Sequence, residues 1–525
     1  MTGPRRTPAG DSKGTKRWLP GLAAWLAAGL WLHASADPVR LDLPVPKPWS
    51  GRTYDLQSSR SLGQLAADAG QLIELCERQE EEWKRQRKEI SARVAPAEMT
   101  STQLWRHHHP PDDLLTKREA RGLKLVRQLS QELLAAEDAA DRLRSTHLLR
   151  EVICALNNNR RPPAPRNLDG FQVPWVLVDH AFNPVAKGRW PAANLEPETE
   201  GQELSRRQPV DSTFWRRPAD IAALDLRCGF GRETLPDHAA VVWEYAGPKT
   251  SYGGNPGYEV WYGAREAKVK FGDTRSEPCT ARVFWALGYH VDATDHVSGL
   301  RVRYDRRLLR EFHLRKEILT TFRLFWFIRL HTMNLQQRHD PFDYIARAVL
   351  NDGRELTGAA LKQELFHDPD REHPEDDPAN FRVEFERQID HLVTVAVNFQ
   401  VDDPRVASIG PWDFGQLDHA DRRELRGVCL LAAWLGWYDS RFENTRLKRV
   451  SESGRNELRH YFSDLGGTLG RGRGFFSGQG ELPEKFEWTF TRSRSSRKHP
   501  DEPRSFSITG FKPIEDTPAF KEMTV

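Results

Sequence analysis

The chain has 525 residues, with 77 Lys and Arg against 74 Asp and Glu, giving a formal net charge of +3. That length is about three times a typical domain and predicts two or three folded units. Its 38% hydrophobic content can fill a core at this size. The near balance of charge argues weakly against a nucleic-acid binder, which usually shows a clear basic excess or stripe.

At the N-terminus, Arg5, Arg6, Lys13, Lys16 and Arg17 form a positive stretch. Trp18 to Leu32 is uncharged and mostly apolar, and Ala34-Ser35-Ala36 supplies small residues where a signal peptidase cleaves. The expectation is a signal peptide over residues 1–36 and an exported protein, periplasmic or secreted, anchored only if the segment is not cleaved. The run is short for a membrane span, which needs roughly 20 residues. Leu324 to Leu330, the best later candidate, is short, contains Arg329 and reads as a buried helix core, so no span is expected beyond the signal segment. The five cysteines (Cys76, Cys154, Cys228, Cys279 and Cys429) are odd in number and lack CxxC spacing. A disulfide scaffold or zinc site is not expected from them, although one or two disulfides could form after export.

Residues 37–160 read as a helical N-terminal region. Leu62, Leu65, Ala66, Ala69, Leu72, Ile73 and Cys76 recur at helical spacing over residues 60–94. Leu123, Leu125, Val126, Leu129, Leu133, Leu134 and Leu143 do so over 113–156. The product is an α-helical hairpin, a packing element or a contact surface for a protein partner. His107-His108-His109, between the helices, cannot easily converge on one ion, because consecutive side chains diverge. Asn157 to Arg166 is a polar, proline-rich boundary.

From Ala239 the pattern turns strand-like: Ala239 to Ala246, Tyr258 to Tyr262 and Ala267 to Phe271, separated by glycine turns. A helix is expected from about Glu277 to Leu287, and a strand at Leu300 to Tyr304. Beyond that the chain reads as largely helical to Gly436, interrupted by an acidic, solvated loop from His367 to Pro378.

The residues that carry chemistry fall in two places. In the first, an apolar helix, Asp421 to Leu435, leads to Trp437-Tyr438-Asp439-Ser440-Arg441-Phe442-Glu443-Asn444. A hairpin of Thr445 to Val450 and Glu457 to Ser463 then delivers Asp464-Leu465-Gly466-Gly467. The order of helix, D-x-x-x-x-N loop, hairpin and Asp followed by Gly suits phosphoryl transfer. Asp439 would stand beside the attacking hydroxyl, and Asn444 and Asp464 would converge on Mg²⁺ bridging nucleotide phosphates. Gly466 would permit the turn that aims Asp464 inward. In the second place, Gly253, Gly254 and Gly257 lie in a loop whose backbone could approach phosphates. Lys268 and Lys270 share one strand face, so either could reach phosphate, and Glu277 could pair with it. Glu277 also completes a Thr274-x-x-Glu277 capping box, which alone would account for it.

Lys270-Phe271-Gly272-Asp273, Glu277, Ala281-Arg282, Trp285-Ala286-Leu287-Gly288-Tyr289, Asp439 to Asn444 and Ser463-Asp464-Leu465-Gly466 together resemble the atypical protein-kinase-like superfamily, in its HipA and lipid-kinase-like branch. The resemblance covers roughly residues 240–470. It implies an α+β, two-lobed protein-kinase-like fold behind the helical hairpin, with an N-lobe over residues 161–305 and a mainly helical C-lobe over 306–525. It implies ATP and Mg²⁺ in the cleft, with Lys270 on the phosphates, Glu277 orienting it, Asp439 as catalytic carboxylate, and Asn444 and Asp464 on the metal. The acceptor would be a protein or small molecule. Tyr438 and Trp437 depart from the Arg and His that usually precede the catalytic Asp, so a pseudokinase or envelope-associated binding protein is the competing expectation.

Overall fold

The computed structural model describes residues 38–41, 43, 49, 51–93, 115–159, 211–218, 220–226, 241–249, 255–311, 320–325, 328–332, 340–371, 374, 377–413, 416–417, 419, 422–435, 437, 442–452 and 455–469. The signal segment, His107 to His109, Gly253, Gly254 and Asp439 lie outside them. The architecture is mixed α+β.

The N-terminal part opens with two short paired strands, β1 (Val39–Arg40) and β2 (Thr53–Tyr54). Three helices follow: α1 (Ser59–Arg93), α2 (Lys117–Ala135) and α3 (Ala139–Asn158). The single helix expected over 113–156 is therefore two. Ala136 turns extended, and Asp138, a residue type favoured at helix starts, occupies the extended N-cap of α3. Thr116 and Glu119 close a reciprocal capping box at the head of α2. The apolar stripes of the three helices merge into one core, in which Leu62, Leu65, Val126, Leu149, Val152 and Leu156 are fully buried. Each such side chain contributes about 1.5–3 kcal/mol. Ile409 and Leu447 close the same core from far along the chain, so the protein itself covers much of the stripe that could have met a partner.

The largest sheet begins with β3 (Trp243–Pro248), β4 (Gly257–Tyr262) and β5 (Arg265–Lys270). After β5 comes α4 (Ser276–Ala286). Then follow β6 (His290–Val291), β7 (Thr294–Val297), β8 (Arg301–Arg303) and α5 (Arg306–Glu311). Residues 306–436, expected to be largely helical, instead hold β9 (Thr320–Phe325), β10 (Ile328–Thr332), β11 (Ile345–Leu350), β12 (Glu355–Leu356), β13 (Ile389–Thr394), β14 (Val397–Val401) and β15 (Val406–Gly410). The α-helices described in that range are α5, α6 (Gly358–Leu365), α7 (Val383–Glu386) and α8 (Arg423–Leu435). Leu324, Phe325 and Ile328 to Leu330 are likewise not helical but belong to the antiparallel pair β9–β10. Short apolar runs do not reveal their period, and aromatic and β-branched residues such as Phe322, Phe325 and Ile328 favour strands. No helix among the described residues is long and apolar enough to cross a membrane.

Nine strands pair in the order β12-β11-β13-β8-β3-β4-β5-β14-β7. Strands β3, β4, β5, β14 and β7 are antiparallel neighbours, whereas β8 adds to β3 in parallel. The sheet therefore crosses the expected boundary at residue 305, because β11 to β14 return to it. Trp243, Val260, Val269, Leu300, Val302, Val397 and Phe399 are buried in its core.

A second sheet, in the order β15-β16-β17-β6, contains the hairpin β16 (Thr445–Glu452) and β17 (Arg455–Phe462). Phe284 of α4, Leu425, Val428 and Leu435 of α8, Trp412, Trp437 and Phe462 pack into a third core between them. The end of α4 sits against this core through Gly288. Its φ is +93°, and the Tyr289 amide donates back to the Phe284 carbonyl at 3.0 Å. A Cβ at Gly288 would lie 2.0 Å from the Arg216 carbonyl oxygen. Gly288→Ala is therefore expected to cost about 2 kcal/mol or more, read by urea unfolding. Equal stability of variant and parent would show that this turn does not anchor α4.

Candidate functional site

Three elements bring charge to one point. Lys270 is the last residue of β5, Glu277 lies in the first turn of α4, and Asp464 follows β17. The Lys270 ammonium donates to both Glu277 carboxylate oxygens, at 3.0 and 3.2 Å, and to Asp464 Oδ1 at 3.1 Å. Lys270 and Glu277 are buried, whereas the Asp464 side chain is 41% exposed. Burial alone would drive the proton off Lys270, but the Asp464 and Glu277 carboxylates outweigh it and hold its pKa above the ordinary lysine range. Burial pushes Glu277 upward, with Lys270 opposing and Asp464 adding to the rise. Asn398 of β14 also donates to Glu277.

The capping box expected of Glu277 does not form. Arg275 is the N-cap and makes no side-chain cap bond, and Glu277 turns inward. Arg282, further along α4, ties the helix to β7 through Asp295 at 3.0 Å. Of the two lysines on the β5 face, Lys270 enters the cluster. Lys268 instead faces Asp402 at 3.8 Å, in a half-exposed pair of the kind worth about 0–1 kcal/mol.

The hairpin sets Asn444 opposite Ser463, the residue before Asp464, at its open end. Thr445 pairs with Phe462, and the Ser463 amide donates to the Asn444 carbonyl at 2.8 Å. Asn444 is buried. Asp292, between β6 and β7, steadies this end by accepting from Ser463 Oγ at 2.6 Å and pairing with Lys448.

Asp464 itself is left-handed, at φ +53°. Gly466 is not the left-handed residue. Its lack of a side chain serves close approach, because a Cβ there would come within 2.3–2.5 Å of the Asp273 side chain. The Ser276 hydroxyl reaches the Gly466 carbonyl at 2.8 Å, and Thr280 bonds Thr468 at 2.7 Å, so α4 grips the segment after Asp464. One carboxylate oxygen each from Asp273, Glu277 and Asp464 lies within 4.8 Å of the others. Such an all-oxygen set suits a hard divalent cation. Gly257 has a backbone role: a Cβ would strike the Val269 carbonyl oxygen at 2.1 Å, so its absence lets β4 lie against β5.

Lys249 is a second buried cation here that the sequence reading passed over. Its ammonium donates to the Asn255 carbonyl at 3.1 Å. Burial lowers its pKa to about 8, with Lys270 adding to the fall while Asp464 and Glu277 oppose it. It stands immediately before the glycine-containing loop, and that adjacency was the available clue.

Comparison of the chain with protein-family models, curated proteins and solved structures gives no match, and the site stands on its own geometry.

Proposed function

We propose that the chain is an exported, atypical kinase-like phosphotransferase that moves the γ-phosphoryl group of ATP, with Mg²⁺, to a protein or small-molecule acceptor. The observation that carries this reading is Lys270 held by a helix glutamate and by the aspartate that follows a hairpin. Kinase chemistry needs a strand lysine paired with a helix glutamate, and an Asp on the metal, both in place together. The antiparallel run β3-β4-β5-β14-β7, with α4 inserted after β5, supports a small nucleotide-binding lobe, and α8 with the β16–β17 hairpin supports a second lobe.

In this reading Lys270 and Lys249 bind phosphate oxygens, and Glu277 holds Lys270 in place. Asp464 and Asn444 hold the magnesium ion, which neutralises charge on the phosphates when bound. Asp439 orients the acceptor hydroxyl and accepts its proton. Positioning and charge neutralisation supply most of the acceleration.

ATP with Mg²⁺ is expected to stabilise the protein, by about 2.7 kcal/mol at a hundredfold excess over Kd, read as a rise in Tm. Either nucleotide or metal alone should do less. No rise with ATP and Mg²⁺ together would remove the nucleotide-binding reading. A rise without transfer of labelled phosphate would favour a pseudokinase, the outcome that Trp437 and Tyr438 preceding Asp439 would explain.

A further inference from the structure

A second polar cluster, sharing none of these residues, lies between the N-terminal helices and the hairpin. Glu151 comes from α3, His419 from the segment before α8, and His460 from β17. Their side chains are 1%, 1% and 0% exposed. His419 Nε2 stands 2.9 and 3.1 Å from the two Glu151 oxygens, and His460 Nε2 stands 3.1 Å from Oε2. One ligating atom from each lies within 4.8 Å of the others.

The other ring nitrogens are also engaged. His419 Nδ1 is 2.5 Å from the Asp413 carbonyl, and His460 Nδ1 is 3.0 Å from the Thr213 hydroxyl. A carbonyl only accepts, so the Nδ1 of His419 carries a proton. In the neutral ring its Nε2 lone pair then faces a carboxylate, an arrangement that calls for a cation between them or a second ring proton. Imidazoles with one nitrogen bonded to protein and the other converging on a shared point form the outer-shell pattern that orients metal-ligating histidines. Phe214 stacks on His460 with ring centroids 3.7 Å apart, and Trp412 meets both histidines edge-on, which fixes the rings further.

We propose that Glu151, His419 and His460 form a binding site for a borderline divalent transition metal, zinc foremost, that fastens the N-terminal helices to the strand leading to Asp464. Zinc bonds of about 2.0–2.2 Å to nitrogen and oxygen space tetrahedral donors about 3.3 Å apart, near the 2.9–3.1 Å between the histidine nitrogens and the Glu151 oxygens. Two imidazoles and one carboxylate suit zinc better than magnesium or calcium, which prefer oxygen alone. His147, one turn before Glu151, stands beside the carboxylate, its Nε2 3.4 Å from Glu151 Oε1. Arg422 holds that nitrogen at 3.0 Å and lies over Phe214, so it is the positive charge with which the metal shares the carboxylate's neighbourhood.

Full-length, untagged protein loaded with zinc and dialysed against metal-free buffer is expected to keep about one zinc per chain, measured by elemental analysis. Glu151→Gln and His419→Ala should lose it, whereas Asp464→Asn should keep it, which separates this site from the acidic cluster in the cleft. A strong chelator should lower the Tm of the unaltered protein. Cobalt in place of zinc should give visible absorption that Glu151→Gln lacks. Unaltered protein that emerges free of zinc, with a Tm indifferent to zinc and chelator, overturns the proposal and leaves an imidazolium–carboxylate ion pair. Zinc undiminished in Glu151→Gln overturns it too, the ion then sitting elsewhere, as on His107 to His109. Should the variants fail to fold, the zinc content and chelator response of the unaltered protein decide.

Discussion

Asp464→Asn is expected to abolish the Mg²⁺-dependent part of nucleotide binding and to lower phosphoryl transfer by at least about 10²-fold, the scale of losing one aimed electrostatic contact. Asparagine is the informative replacement for two reasons. It keeps the shape of the side chain, and it tolerates the left-handed backbone at φ +53° better than most residues. The change then tests the charge and not the turn. Folding stability should move little, because the Asp464 side chain is 41% exposed while Lys270 keeps Glu277 as its buried partner. The measurements are thermal shift with ATP at varied Mg²⁺ and transfer of labelled phosphate. Undiminished Mg²⁺-dependent stabilisation by ATP in the variant would refute the metal role. Asp439→Ala should likewise silence transfer, and transfer surviving that change would remove Asp439 from its assigned part.

Lys270→Met is expected to be the most destabilising single change in the cleft. It leaves the Glu277 carboxylate, 3% exposed, without its cation, and breaking a buried pair from one side costs about 3–5 kcal/mol. Asn398 still donates to that carboxylate, which places the expected loss toward the lower end. Glu277→Gln should cost less, since Lys270 can keep Asp464 on the solvent side. Combining Lys270→Met with Glu277→Leu should recover much of the loss, because no buried charge is then left unpaired. Urea unfolding of the three variants gives the ordering. A Lys270→Met variant as stable as its parent would mean that Glu277 simply takes up a proton or that water enters.

The cluster around Lys270 could be read from sequence where local rules governed it. The β16–β17 hairpin and the apolar α8 before it each show their period within a dozen residues, and the strand alternation of β5 put both lysines on one face. Selecting Lys270 over Lys268 was beyond such rules. That choice depends on where α4 and Asp464 arrive, and Asp464 lies 194 residues from Lys270. Residues 306–436 were misread for a related reason. Strands such as β13 and β14 are five or six residues long and buried on both sides in places, so the alternation that marks a half-exposed strand is lost. An extended break, with Ala136 and Asp138 both out of helical conformation, divides what periodicity alone joined into one helix. The Glu151, His419 and His460 cluster left no sequence trace, since its ligands lie 268 and 309 positions apart from Glu151 and follow no short motif.

Among the described residues, the nine-stranded sheet ends on one side in β12, only Glu355 and Leu356, and on the other in the four-residue β7. Unpaired strand margins are where chains add to one another and grow into aggregates. Here the margins are so short that an incoming segment meets few open amides and carbonyls. A sheet this wide thus offers a neighbouring chain little backbone along its terminal strands.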